Sequence, residues 1–464
     1  MVKKLSKEEL SKIKSQKKKA RHENIKEGIF ATGRTSFGDY FVSPFAIAIN
    51  SSSSMVAMLN SISGLLGPIS QLFGSRLMEK YSRKKIMVKS VFLESLMWLP
   101  LIAISILYYK GILINILPIL LLLFFSFFTI LANIGSPAFF SWVGDLVEEK
   151  RRGRWFAKRT LLTGFISVIL AISASFFLDY FKRNNSIMQG FVILFALALF
   201  SRLICWKIYK KQYEPKLKLK KGDYFSFWDF IIQAPKNNFG KFSIFRFFFS
   251  FACAISSPLL VIYLLRYLNF SYTLYMIIIF SGTIFSLLIL ELWGKISDKL
   301  GSYKTLSIAT LIIPIVPLLW IVSPSPVYLI FVPSLISGIS WAGFHLTEKN
   351  FIYDNVSTPK RGLALSYYNL LWGIGTFLGA GLSAILIKYL TISIIEPIIA
   401  IFILSSIARM IVIFLWLHKI KEIRVTKKFN NSKIFKEIIT KEARPTINQE
   451  IHEIMSIKKY LDVK

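Results

Sequence analysis

Apolar runs of about 20 residues alternate with short polar stretches from residue 35 to residue 417. That length matches the hydrocarbon thickness of a bilayer. The pattern predicts twelve spanning helices, near 35–50, 55–77, 86–108, 114–143, 158–179, 187–208, 242–266, 272–296, 306–322, 327–353, 363–388 and 395–417. A polar connection at 209–241 divides them six and six. Within it, Phe225, Phe227, Trp228, Phe230 and Ile231 predict a short helix at the membrane interface. The domain division is therefore a basic segment (1–34), a first bundle (35–208), a linker (209–241), a second bundle (242–417) and a tail (418–464). The basic segment reads as partly helical, and Leu5, Leu10 and Ile13 give it only a weak apolar stripe for a lipid surface. The tail stretch 433–463 reads as an amphipathic helix broken at Pro445.

The two halves share polar signatures as well as helix number. Ser75-Arg-Leu-Met-Glu79-Lys80-Tyr-Ser82-Arg83-Lys84-Lys85 lies between the second and third runs, and Gly294-Lys-Ile-Ser-Asp298-Lys299-Leu-Gly301-Ser302-Tyr-Lys304 between the eighth and ninth. Each has a small residue four positions before an acid, a cation directly after the acid and a small residue three positions after it. A cation closes each stretch. Asp145-Leu-Val147 with Arg152-Gly153 recurs as Asp354-Asn-Val356 with Arg361-Gly362. The first pair is 219 residues apart and the second 209. Two signatures repeated in the same order imply an internal duplication.

These stretches resemble the loops after helices 2 and 8, and after helices 4 and 10, of the major facilitator superfamily. The resemblance covers residues 35–417. Ser75 and Ser82 stand where that family usually has glycine, and Glu79 where it has Asp. It implies an all-α polytopic membrane protein: twelve transmembrane helices in two pseudo-symmetric six-helix bundles around one cavity. It also implies a cytoplasmic gate, with Glu79 facing the N-terminus of helix 11 and Asp298 that of helix 5. Arg83 is close enough in sequence to pair with Asp145, and Lys304 with Asp354. Arg152 and Arg361 would begin helices 5 and 11.

Composition supports the membrane reading. Hydrophobic residues make up 54% of 464, Phe alone numbers 41, and mean hydropathy is +0.54. The formal charge of +33 would suggest nucleic acid in a soluble protein. Here the cations crowd the tails and alternate loops, where they read as topology signals and as attraction to anionic lipid head groups. Only Lys110, Lys182, Arg183, Arg266 and Lys388 fall in the loops of the other side. Both termini are thus expected in the cytoplasm and the chain in the plasma membrane. Cys205 and Cys253 have no metal-ligand spacing and give no disulfide framework. No phosphate-binding Gly-Lys loop or catalytic cluster appears, and there are four histidines. An enzyme, a cofactor, a metal site and a nucleic-acid partner are not expected.

Ionisable groups inside a bilayer are costly and often functional. Glu94 follows Lys85 by nine residues, which places it roughly 13 Å deep at the helical rise. Asn133, His345 and Arg409 reach similar depths; Glu291, Glu348 and Asp39 are shallower. A buried Glu94 could take up a proton, or could pair with a cation such as Arg409. Arg202 and Arg246 are expected to snorkel to the cytoplasmic face. Asp39, Tyr40, Asn133, Glu94, His345, Asn369 and Trp372 are the candidate cavity or coupling residues. Family cavities are lined by helices 1, 4, 7 and 10, which favours Asp39, Asn133 and His345 among them. Gly373, Gly375, Gly379 and Gly381 suit close packing or bending of helix 11.

The function expected is a secondary transporter, a monomer moving a small solute by alternating access, with protons as an optional coupling ion. Two alternatives stand beside it. One is a lipid-handling membrane protein or enzyme on the same bundle; the other is a non-transporting receptor or scaffold acting through its tails. The Gly-Pro-rich helix 5 of many drug:proton antiporters is absent, and Glu214-Pro215 is too little to match a sugar porter.

Overall fold

Proline and glycine decide where the apolar runs stay straight. The computed structural model describes residues 7–215, 226–356, 358–390 and 396–422, and every regular element among them is helical. In chain order these are α1 (Lys7–Phe37), α2 (Val42–Ala48), α3 (Ser53–Lys80), α4 (Arg83–Leu96), α5 (Trp98–Tyr109), α6 (Leu117–Ile134), α7 (Ser136–Leu146), α8 (Glu149–Arg183), α9 (Ile187–Lys211), α10 (Phe227–Gln233), α11 (Asn238–Ala254), α12 (Leu259–Ile262), α13 (Tyr272–Leu300), α14 (Ser302–Ile312), α15 (Ile315–Val322), α16 (Pro326–Phe331), α17 (Pro333–Asn355), α18 (Thr358–Tyr389) and α19 (Pro397–Trp416). Eleven stretches among the described residues are long and apolar enough to cross a bilayer.

The first expected crossing is built differently. Instead of one helix at 35–50, α1 continues out of the basic segment as far as Phe37, a 3-10 turn covers Asp39–Phe41, and α2 follows. Lys, Glu and Ala are good helix formers, so nothing in 7–30 stops propagation. The helix also docks: Lys17 Nζ donates to the Asp145 carbonyl at 2.8 Å and Arg21 to that of Leu146 at 3.1 Å. Gly38 is required where the chain bends, because a Cβ there would lie 2.2 Å from the buried Trp98 ring.

Five other crossings are interrupted within about three residues of a proline: α4/α5, α6/α7, α11/α12, α14/α15 and α16/α17. Proline lacks the N–H that a continuous helix needs. At two of these breaks α19 supplies donors. Ser405 Oγ donates to the Ala252 carbonyl at 2.7 Å and Ser406 Oγ to that of Pro314 at 2.5 Å. Arg409 donates to the carbonyls of Ile313 and Cys253, both at 3.3 Å, and to Ser256 Oγ at 3.0 Å. Arg409 therefore serves the helix breaks and is not the partner of Glu94.

The chain forms two compact units, Met1–Ser51 with Leu66–Leu219, and Ser52–Leu65 with Lys220–Lys464. In the first, α9 is the central element, packed by α1, α4, α5 and α8. Phe45, Trp98, Phe191 and Phe195 fill part of its core. In the second, α11 lies along α18 and α13 along α17. A Cβ on Gly375 would sit 2.3 Å from the Phe247 carbonyl oxygen and one on Gly379 2.1 Å from that of Phe251, so these two α18 glycines serve close backbone approach to α11. The short helix expected in the linker begins at Phe227, with Phe225 outside the described residues. Its Phe230 stacks on Tyr367, while Trp228 and Ile232 face outward. Ser226 and Asp229 form a capping box, and the Ser226 hydroxyl and backbone N–H hold the Asp229 carboxyl below its usual range. The expected tail helix at 433–463 lies outside the described residues.

Candidate functional site: two buried charge clusters and a duplicated loop

In the first unit, Glu94 sits on α4 facing α1 and α9, and its side chain is 1% exposed. Burial of a carboxylate requires cations and hydrogen bonds around it. Arg34 of α1 donates to Oε1 at 2.8 Å; Arg202 of α9 donates to Oε2 from Nη2 at 2.7 Å and from Nε at 2.9 Å. The network extends at both ends. Arg34 reaches Asp39 at 3.0 Å, Arg202 reaches Glu27 at 3.7 Å, and Arg159 of α8 reaches Glu27 at 2.9 Å. Three carboxylates thus face three guanidiniums. Arg34 Nε and Asp39 Oδ1 are buried with no hydrogen-bond partner, which leaves polar capacity at the Asp39 end.

The second unit has a smaller cluster around Glu348 of α17. Arg246 of α11 lies 2.8 Å from Oε1, and Tyr368 of α18 donates a short hydrogen bond to the same oxygen. His345 Nδ1 lies 3.0 Å from Oε2. Glu348 and Arg246 are 12% and 7% exposed, whereas the His345 side chain is 52% exposed and stacks on Trp341. Burial thus closes the carboxylate and leaves the imidazole open.

The two clusters share a repeated element that the loop signatures do not include. Phe30-x-x-x-Arg34-x-x-Phe37 recurs as Phe242-x-x-x-Arg246-x-x-Phe249, 212 residues on. Each arginine also lies over a phenylalanine, Arg34 over Phe128 of α6 at 5.5 Å and Arg246 over Phe344 of α17 at 5.0 Å. The carboxylates are not repeated: one comes from α4, the other from α17.

At the loop after α3, Arg83 is fully buried. Its Nη1 donates to Asp145 Oδ2 at 2.6 Å and to the Ser141 carbonyl at 3.1 Å. Nη2 donates to the Pro215 carbonyl at 2.6 Å, and the backbone N–H donates to Glu214 Oε1 at 2.8 Å. In the second unit, Ser302 Oγ donates to Asp354 Oδ2 at 3.0 Å and the Tyr303 N–H to Glu422 Oε2 at 2.8 Å.

The Major Facilitator Superfamily profile matches residues 29–240 and again 242–452. The chain belongs to the major facilitator superfamily. Matching the profile as two successive stretches agrees with the internal duplication. Solved facilitator structures are similar in fold. A point mutant of the nucleoside transporter NupG has a TM-score of 0.63 at 14% identity, covering 88% of this chain and 100% of that one. A bacterial homologue of the iron transporter ferroportin, inward-facing, scores 0.62 at 16% identity, with 86% and 98% covered. A bacterial homologue of the human lysosomal transporter Spinster scores 0.57 at 13% identity, with 89% and 99% covered. No curated protein sequence matches the chain. Family membership makes this a membrane transporter whose substrate is a small-molecule solute.

The other expected site residues of this facilitator are distributed as follows. Glu79 is exposed at the end of α3, with no hydrogen bond or ion pair among the described residues; Asp298 is exposed at the end of α13. Lys304 is half-buried in the first turn of α14. The side chains of Arg152 and Arg361 lie outside the described residues. Asn133 Oδ1 accepts from Gln71 at 3.1 Å, and Tyr40 lies 3.4 Å from Ser167 Oγ. Asn369 is half-buried and Trp372 is 38% exposed, 5.7 Å from the Arg246 guanidinium. Arg202 and Arg246 do not snorkel; each is buried in an ion pair. Glu27, Arg34, Arg159 and Glu348 carry much of both clusters, yet were not among the sequence-derived candidates. Among the described residues no group of three His, Cys, Asp or Glu could hold a metal ion.

Proposed function

We propose that this facilitator is a secondary transporter that moves a small polar solute by alternating access, coupled to protons at His345. The carrying observation is the half-open imidazole set against a carboxylate already held by Arg246 and Tyr368. Histidine is the side chain whose charge ordinarily changes near neutral pH. With Nδ1–H donated to Glu348, Nε2 is left as an acceptor on a half-exposed ring; protonation turns it into a donor. A solute group that meets Nε2 therefore binds the two protonation states differently, as coupling requires. Glu94 suits this role less, because its side chain is 1% exposed and arginines occupy both of its oxygens. Asp39 is already engaged by Arg34.

The gate belongs to the same reading. Glu79 and Asp298 latch the cytoplasmic side in the outward-open state, assisted by the Arg83–Asp145 and Lys304–Asp354 loops and by Arg152 and Arg361 at the starts of α8 and α18. Both tails face the cytoplasm at the plasma membrane, and the bundles rock as a monomer. The resemblance of the two loop signatures to the family's supports this assignment. The solved neighbours carry different cargoes, so their likeness supports transport and names no solute.

The test uses proteoliposomes with an internal pH dye and pooled metabolites. Solute-dependent proton movement is expected in the wild type. His345→Gln should abolish it while solute exchange continues without a gradient. Proton movement unchanged in His345→Gln overturns the coupling site.

A further inference from the structure

On the first unit, a cavity of about 500 Å³ lies between α1 and the end of α9. Its lining includes Lys19, Lys207 and Lys211, with Ile204, Ile208 and Gln212 between them. None of the three lysines has a hydrogen bond or ion pair among the described residues. Glu23 is the one acid on the wall, and it lies 3.8 Å from Lys26. The cavity thus concentrates uncompensated positive charge.

Two further observations say what fits it. On α9, Ile193, Leu197, Phe200 and Ile204 are all exposed, at 40, 42, 59 and 36%. Their spacing of four, three and four residues puts them on one helix face. Lys207, Ile208 and Lys211 continue that same face, so an apolar stripe runs directly into the basic cavity. In addition, Gln212 is 1% exposed and its Oε1 has no partner. Its Nε2 donates to the Ala20 carbonyl at 3.2 Å, which fixes the amide orientation and leaves the oxygen as an unused acceptor.

We propose that this cavity holds the head group of an anionic phospholipid bearing a hydroxyl, with an acyl chain along the α9 stripe. The phosphate meets Lys19, Lys207 and Lys211, and the hydroxyl donates to Gln212 Oε1. The lipid commitment rests on the stripe, because a soluble phosphate ester would make no use of it. This site is separate from both charge clusters and does not depend on the coupling reading.

The test titrates the purified full-length protein in neutral detergent with phosphatidylglycerol, phosphatidylcholine, phosphatidic acid or glycerol 1-phosphate, reading the unfolding midpoint and retained lipid by native mass spectrometry. Phosphatidylglycerol should give a saturable rise that phosphatidylcholine does not. The triple variant Lys19→Gln, Lys207→Gln, Lys211→Gln should weaken it at least tenfold; Lys110→Gln with Lys182→Gln should not. Gln212→Met should lower the preference for phosphatidylglycerol over phosphatidic acid. An unchanged triple variant, or equal effects of phosphatidylcholine, overturns the proposal. Equal protection by glycerol 1-phosphate overturns the lipid assignment in favour of a soluble phosphate ester.

Discussion

Glu214 Oε1 accepts the backbone N–H of Arg83 at 2.8 Å, and Glu422 Oε2 accepts that of Tyr303 at the same distance. Each acid follows the last crossing of its own unit, and each N–H opens the helix after the repeated loop. First-turn N–H groups have no partner within the helix, and negative charge is favoured there. An acid from the end of each half therefore closes the loop at its middle. In the first unit the same carboxylate also lies 3.5 Å from Arg83 Nε.

Glu214→Ala should therefore lower the unfolding free energy by about 1.5–3 kcal/mol, the range for a hydrogen bond to a charged group. Glu214→Gln should recover part of the loss, because its amide oxygen still accepts the Arg83 N–H. Thermal unfolding of the two variants checks this; an Ala variant as stable as the wild type would show the contact to be incidental.

The Glu94 network predicts a stability phenotype. Removing one partner of a buried pair costs about 3–5 kcal/mol because the other charge stays buried. Glu94→Gln should fall in that range. Arg202→Gln should do likewise, and the double variant should lose clearly less than the sum of the two. Thermal melts of all three give the coupling energy. Additive losses would mean that the 2.7 Å pair contributes no coupling.

The helix pattern and the loop pairs were legible because apolar length and repeated spacing are local properties of the chain. Depth along a helix singles out Glu94 as an unusual acid, and the structure buries it, but depth says nothing about azimuth. Arg202 lies 108 residues away and Arg34 60 residues away, and only packing of α9 between α1 and α4 brings them together. The same gap explains the snorkelling expectation: a long cation near a helix end reaches water unless a carboxylate on the next helix intercepts it. The Arg34/Arg246 repeat was visible in principle at a spacing of 212, between the 209 and 219 of the loops. Glu214-Pro215 is too little in sequence to match a sugar porter, and its part in the loop is hidden because its partner, Arg83, is 131 residues upstream.

Arg409 separates two meanings of a buried cation. No carboxylate among the described residues pairs with it, its Nε is unsatisfied, and its partners are two carbonyls and a serine hydroxyl. Those carbonyls already accept backbone N–H groups, Cys253 from Ser257 at 3.3 Å and Ile313 from Val316 at 3.2 Å. Losing the guanidinium therefore strands no carbonyl, while it removes a desolvated charge. The C-terminal ends of α11 and α14 each carry roughly half an elementary charge, about one in sum, but spread over carbonyls that already accept backbone N–H groups they offset the guanidinium less than a carboxylate in contact would. Arg409→Met should leave the unfolding midpoint unchanged or raise it, as replacement of buried ions by apolar groups often does. Arg409→Ala should lower it, because it leaves a cavity. If Met destabilises as much as Glu94→Gln, the helix ends act as a full counter-charge and the two clusters are energetically alike. If Met is neutral but transport is lost, Arg409 sets the geometry of the α11/α12 and α14/α15 breaks at a cost to stability.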